Sequence, residues 1–282
     1  MKAAVITHHF PHDNVEPALS RLRAVALEHD CELLFDEQND RAHEKADVST
    51  LTNAELRAAE PDVSVVMGGD GSILRSLRTF AGLEVPTFGF NFGTIGFLTT
   101  VERDDLPAGI HRALTGAYDV LKLPGLRLKY GDIDALAIND VSFHRSRDAR
   151  VAEVAYMLGD EQVGRVRCDG VVAATPAGST GYNLANSGPI LAWGVEGFVV
   201  SFIAPHTLTA RALVAAPDDV LGVTNAGRLD ELEILVDGLM VGTLPVGETA
   251  ELSFVDDQAA LAQIPGANFY HRFREKFGKL AS

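Results

Sequence analysis

Over the first hundred or so residues, apolar runs of strand length alternate with segments whose apolar residues recur every three or four positions. Lys2–Thr7 and Cys31–Phe35 read as strands, and Glu16–His29 between them sets Leu19, Leu22, Val25 and Ala26 on one helical face. Asp36–Thr50 is polar and reads as a loop. Asn53–Ala59 is a short helix that stops before Pro61. The strand Val63–Met67 runs into Gly68-Gly69-Asp70-Gly71, followed by a helix over Ser72–Thr79 and a strand over Val85–Phe90. Strands separated by helices imply parallel βαβ units.

Beyond Leu121 the period changes. Short alternating runs (Arg127–Tyr130, Val151–Leu158, Gln162–Cys168, Leu232–Val236, Ala250–Phe254) are separated by the turn signals Gly159-Asp160, Asp237-Gly238 and Gly247-Glu248. This part reads as a sandwich or a close pair of sheets. Phe269–Leu280 is helical again. The fold expected is therefore α/β followed by β: a Rossmann-like α/β domain over residues 1–120, a β-sandwich-like domain over 121–264, and a last helix over about 265–282 that packs back on the first domain.

Composition narrows the functional classes. Of the 282 residues 46% are apolar and 22% charged, as in globular domains, and no apolar run approaches the ~18 residues of a membrane helix. The N-terminus is too short in apolar residues for a signal peptide and reads as a first core strand, so a cytoplasmic protein is expected. Cys31 and Cys168 suggest neither a disulfide framework nor a zinc site, and His8-His9-Phe10-Pro11-His12 reads as a polar loop. The formal net charge of −15 argues against nucleic acid and anionic membranes as partners. Anionic substrates then need local cations and backbone N–H donors.

Five segments carry candidate chemistry. Gly68-Gly69-Asp70-Gly71-Ser72 sits at a strand-to-helix junction, where glycines admit close backbone approach and the helix N-terminus favours phosphate. Asp70 there either caps the helix, or faces an attacking hydroxyl or a bridging Mg²⁺. Asn91-Phe92-Gly93-Thr94-Ile95-Gly96-Phe97-Leu98 follows the next strand, at the carboxyl edge where α/β sheets take ligands. Asn139-Asp140 is either a turn or a clasp for the two hydroxyls of a ribose. Asp169-Gly170 leads through a strand to Thr175-Pro176-Ala177-Gly178-Ser179-Thr180-Gly181-Tyr182-Asn183, with Tyr182 offering a ring face to a base. His206 and Arg211 are either surface groups or phosphate ligands.

In order and spacing these motifs resemble the NAD kinase family, from about Val63 to Asp237. The combination of Gly-Gly-Asp-Gly with Thr-Pro-Ala-Gly-Ser-Thr is specific; the first alone also occurs in lipid kinases of the diacylglycerol type. The resemblance implies an N-terminal α/β domain and a C-terminal β domain with NAD bound between them, usually in dimers or tetramers. It implies transfer of a phosphoryl group from ATP or polyphosphate, with a divalent metal such as Mg²⁺, to the 2′-hydroxyl of NAD's adenosine ribose. Asp70 becomes the proton acceptor. Around NAD the resemblance places Gly71, Arg75, Asn139, Asp140, Arg150, Arg167, Asp169, Thr180, Gly181, Tyr182, Asn183, Leu184, Ala185 and Ala204. Gly68, Gly69, Gly71 and Ser72 fall to the phosphate donor, and no residue is assigned to the metal.

The chain departs from the family's common residues at Ser72 (Thr), Asp140 (Glu), Gly181 (Ala), Ala185 (Ser), Ala212 (Pro) and Leu239 (Gln). These changes bear on affinity and on NAD against NADH, and leave Asp70 in place. A lipid kinase or a sugar kinase fits the acidic balance poorly. A nucleotide-binding regulator gains nothing from a carboxylate beside phosphates.

Overall fold

The computed structural model describes residues 1–7, 12–37, 50–93, 96–146 and 151–278, without the side chains of 12–14. The chain forms two units, Met1–Lys122 with Ala259–Ser282, and Leu123–Gln258. The end of the last strand, as well as the last helix, thus belongs to the first unit.

In the first unit, strands β1 (Lys2–Thr7), β2 (Glu32–Asp36), β3 (Thr50–Leu51), β4 (Val63–Gly68) and β5 (Pro86–Asn91) make a parallel sheet in the order β3-β2-β1-β4-β5. Short β6 (Val101–Glu102) and residues Ala260 and Leu261 also pair with β5. β4 and β5 are buried at every position, which is why they read as unbroken runs rather than alternations. Helices α1 (His12–Glu28), α2 (Asn53–Ala58), α3 (Asp70–Thr79), α4 (Leu106–Thr115) and α5 (Phe269–Phe277) accompany the sheet.

The two faces of the strands divide the helices. Val63, Val65 and Met67 share a core with Leu19 and Leu22 of α1 and Ile110 and Leu114 of α4. Ser64 points the other way, where the Ser76 hydroxyl of α3 donates to Ser64 Oγ at 2.8 Å and lies 2.9 Å from Thr87 Oγ1. α2 starts on a capping box, Thr52 Oγ1 accepting from the Glu55 N–H and Glu55 Oε2 from the Thr52 N–H. α4 is an element that apolar periodicity did not reveal. Its local signs are Pro107 in the first turn and Gly116 at φ 71° closing the last.

Of the histidine tract, 8–11 lie outside the described residues, and His12 opens α1 rather than ending a loop. The polar loop over Asp36–Thr50 likewise lies outside them from 38 to 49, while Asp36 closes β2 and Thr50 opens β3. No helix among the described residues is long and apolar enough to cross a membrane.

The second unit is two sheets around one core. One has the order β14 (Leu213–Ala215), β13 (Phe198–Ile203), β12 (Gly170–Ala174), β9 (Asp140–Arg145), β16 (Leu232–Val236), β17 (Leu239–Leu244), antiparallel throughout. The other runs β11 (Glu161–Cys168), β10 (Ala152–Leu158), β15 (Val220–Asn225), β18 (Thr249–Gln263), β7 (Asp119–Tyr130), β8 (Ile133–Ala137). Val141, Phe143, Val171 and Phe202 of the first sheet meet Val154, Tyr156, Val223 and Leu252 of the second in a single apolar core. The expected α/β-then-β architecture is thus the observed one.

Candidate active site

The strand order of the first unit reverses between β1 and β4. Open α/β sheets take ligands beyond the carboxyl ends of the strands at such a point. Gly68 ends β4 there, Gly69 is the N-cap of α3 at φ −99° and ψ −170°, and Asp70 is the first residue of the helix. The helix therefore begins two residues earlier than the sequence suggests. The second glycine turn lies alongside: a Cβ on Gly93 would stand 3.4 Å from Gly69 Cα, so the two backbones are in contact.

Asp70 does not cap α3. Its Oδ2 accepts the Phe97 N–H at 2.8 Å and its Oδ1 the Leu98 N–H at 2.9 Å. Burial raises the carboxyl above its usual range, a shift opposed by these two N–H donors and by the nearby charges of Arg272 and Lys276. Each oxygen keeps a second lone pair for a further donor. Ser72 donates its N–H to Gly69 O, so only amides earlier in the turn can serve an incoming phosphate.

Arg75, one turn on, donates to Thr7 O at 3.0 Å and pairs with the fully buried Asp36, which ties α3 to the ends of β1 and β2. Asn91 steadies the second glycine turn, its Oδ1 accepting the Gly93 N–H at 3.0 Å and its Nδ2 donating to Glu102 at 2.8 Å. A cavity of about 400 Å³ adjoins, lined by Gly96, Thr99, Glu102, His271, Arg272 and Lys276 among others.

The second unit gathers the other group of candidates on the face of β9 and β12 turned away from the core. Alternation along β9 puts Asp140, Ser142 and His144 on that face and Val141 and Phe143 in the core. Asp140 is 7% exposed, and its carboxyl, with no hydrogen-bond partner among the described residues, is pushed up to about 7 by burial and by the charge of Asp237. Asp237, at φ 47°, accepts the N–H groups of Ile138, Asn139 and Asp140 at 3.0, 2.7 and 3.1 Å. Asn139 Oδ1 is buried without a partner, which suits an incoming hydroxyl.

The Thr175–Tyr182 segment folds over the same face. Thr175 Oγ1 donates to Ile138 O at 2.7 Å and accepts the Gly178 N–H, and a Cβ on Gly178 would overlap the Asn139 carbonyl. A single helical turn, Tyr182–Ala185, follows. The Tyr182 ring stacks on His144, centroids 5.6 Å apart and planes at 14°, leaving Tyr182 38% exposed. Asn183 is fully buried, its Nδ2 bonding Ser179 O and Pro189 O at 2.9 Å while its Oδ1 is buried without a partner. Thr180 and Leu184 are half-buried, Gly181 is exposed, and Ala185 ends the helical turn. Ala204 is exposed at φ 43°, just past β13.

Asp169 pairs with Arg145 at 2.9 Å. Arg167 is exposed and lines a cavity of about 560 Å³ with Arg145 and Arg228. Arg150 lies outside the described residues. His144, Arg145 and Arg272 are members of these two clusters that the sequence reading did not single out. The polar series Asp140, Ser142, His144 on an otherwise apolar strand was the available sign for the first. Among the described residues no three His, Cys, Asp or Glu side chains gather as a metal cage.

Residues 9–118 match the family model of the ATP-NAD kinase N-terminal domain and residues 138–261 that of the C-terminal domain. An NAD kinase of Gemmatimonas aurantiaca is 34% identical over 225 residues, 77% of each chain. One of Teredinibacter turnerae is 31% identical over 268 residues, 93% of this chain and 91% of the relative. Among solved structures, an NAD kinase from Archaeoglobus fulgidus in complex with ATP matches with a TM-score of 0.73 at 26% identity, over 100% of this chain and 99% of that one. Yeast NADH kinase complexed with NADH shares the fold, with a TM-score of 0.87 at 19% identity over 100% and 88% of the two chains. The chain belongs to the NAD kinase family, the enzymes that phosphorylate NAD to NADP.

Proposed function

We propose that this kinase uses Asp70 to receive the proton of the adenosine ribose 2′-hydroxyl as that oxygen attacks the terminal phosphorus of ATP, whose bond to the bridging oxygen breaks and releases ADP. The observation that carries the reading is the double anchoring of Asp70 by the Phe97 and Leu98 amides at a phosphate-suited helix start. Two fixed N–H donors set the carboxylate plane and leave lone pairs for one hydroxyl. A carboxylate is a weak base for a sugar alcohol. Phosphoryl transfer is loose enough that positioning and charge stabilisation do most of the work, and the proton leaves late. Burial of Asp70 makes it a better acceptor than a solvated aspartate.

Backbone N–H groups of Gly68-Gly69-Asp70-Gly71, where β4 meets α3, would hold the donor's phosphates, with Ser72 supporting the turn. A divalent cation, Mg²⁺ by its chemistry, would be held by those phosphates and water and would neutralise charge on the transferred group. For NAD we assign Gly71, Arg75, Asn139, Asp140, Arg150, Arg167, Asp169, Thr180–Ala185 and Ala204. Asn139 and Asp140 would clasp ribose hydroxyls, and Tyr182 would meet a base, pre-set by its stack on His144.

We also read the enzyme as cytoplasmic and as a homodimer or homotetramer. The free thiols of Cys31 and Cys168 support the first reading. The exposed apolar edge strand β17, with Leu239 53% and Met240 60% exposed, supports the second.

A coupled assay of NADP formation from NAD, ATP and Mg²⁺ tests the mechanism, with wild type and Asp70→Asn side by side. The variant should keep NAD binding and lose about 10²–10⁴-fold in kcat. A variant with wild-type kcat rejects the role given to Asp70.

A further inference from the structure

The segment that anchors Asp70 is itself held from the opposite side by the C-terminal helix. Arg272 of α5 is 9% exposed. Its Nη1 donates to Phe97 O at 2.8 Å and to Thr99 O, and its Nη2 donates to Gln263 Oε1 at 2.8 Å. The carbonyl of Phe97 and the N–H of Leu98 belong to one peptide unit. Its oxygen therefore faces the Arg272 cation while its hydrogen faces Asp70 Oδ1 at the 2.9 Å N···O distance. A peptide polarised from both ends is a stronger donor than an isolated one, because hydrogen bonds in series reinforce each other at low local dielectric. A second link runs from the same helix to the second glycine turn: Lys276 Nζ donates to Glu102 Oε1 at 3.1 Å, and Glu102 Oε2 accepts from Asn91 Nδ2 at 2.8 Å.

We propose that Arg272 is a positioning residue for the phosphoryl transfer, fixing the orientation and charge of Asp70 through the Phe97–Leu98 peptide. The inference rests on the reading of Asp70 as the proton acceptor. Arg272 suits the task better than lysine does, since one planar fork reaches three acceptors at fixed angles. The charged groups facing Asp70 are Arg272 and Lys276, and those facing Arg272 are Asp70, Glu102 and Glu275. Both cations hold the Asp70 carboxyl down against the effect of burial, so losing Arg272 raises it further.

The test compares Arg272→Gln, Arg272→Lys and Asp70→Asn, with Arg274→Gln as a control that removes an exposed cation from the same helix. Arg272→Gln should lower kcat by about 10–100-fold, move KM for NAD by less than about 3-fold, and shift the acid limb of the kcat profile to higher pH. Arg272→Lys should restore the limb but only part of kcat, and Arg274→Gln should change neither. An unmoved limb in Arg272→Gln, or a rise in KM alone, overturns the proposal. If Arg272→Gln does not fold, Arg272→Lys decides: lowered kcat with the limb in place supports the positioning role, and unchanged kcat rejects it. Carboxyl NMR of Asp70 in the wild type and Arg272→Lys reads the coupling without turnover. If Asp70→Asn retains kcat, the reading of Asp70 fails. If Asp70→Asn is inactive while the Arg272 variants behave as wild type, only the positioning role fails.

Discussion

Asp237 holds Asp140 by its backbone and opposes its charge: Asp237 Oδ1 accepts the Asp140 N–H at 3.1 Å, while the like charge of its carboxylate helps push the Asp140 carboxyl up to about 7. The buried carboxylate thus stays near the midpoint of its titration at neutral pH and carries a cost in the folded state that a bound hydroxyl can relieve.

Below about pH 4 Asp140 is protonated folded and unfolded. Between there and about 7 only the unfolded chain ionises, so stability falls as pH rises, by at most about 4 kcal/mol in total. Asp140→Asn removes that penalty. The variant's thermal midpoint relative to wild type should climb between pH 4 and 7 and then level off. A constant difference across that range would show that Asp140 titrates normally.

Asp237→Asn keeps one carbonyl oxygen but turns an NH₂ group toward a backbone N–H. Three N–H donors then compete for fewer acceptors, each unmet one costing about 1–3 kcal/mol. The Asn139-Asp140 turn should loosen. We expect a rise in KM for NAD greater than the fall in kcat, read from steady-state kinetics at several NAD concentrations.

Two glycines separate fold from ligand. An added Cβ on Gly71 meets nothing within 4 Å, and the residue lies in the first turn of α3. Gly71→Ala should therefore raise stability, by up to about 0.5–1 kcal/mol, and still lower activity if a substrate approaches that backbone. Gly178→Ala would meet the Asn139 carbonyl and should lower both. Calorimetry and turnover on the same two variants check the contrast.

The buried hydroxyl cluster under α3 gives a stability prediction. Ser76→Ala leaves Ser64 and Thr87 without the group that links them, so a loss of about 1–3 kcal/mol is expected, with kcat nearly unchanged in the fraction that remains folded. Urea unfolding monitored by circular dichroism measures it.

Much of the first unit was legible because its determinants are local. A run such as Val63–Met67 buried on both faces has no polar residue other than Ser64 to hide, and the glycines after it permit the turn that delivers Asp70 to a helix start. Helix α4 was less legible, since its buried stripe of Ile110, Ala113 and Leu114 is short and its clearest signs are Pro107 and Gly116 at the ends. The order of motifs along the chain was enough to point to the family.

The sequence by itself determined the two structural rhythms, the glycine turns and the hydroxyl-rich Thr175–Tyr182 segment, because periodicity, backbone freedom and turn chemistry act over a few residues. The pairings that give the motifs their chemistry were decided only in three dimensions. Asp70 finds its donors 27 and 28 residues away, Asp237 finds the Asn139 amide 98 away, and Arg272 reaches Phe97 across 175. Those distances are closed by strand order and register, set by how whole elements bury their apolar faces, and no local pattern around Asp70 or Arg272 encodes which partner that burial brings.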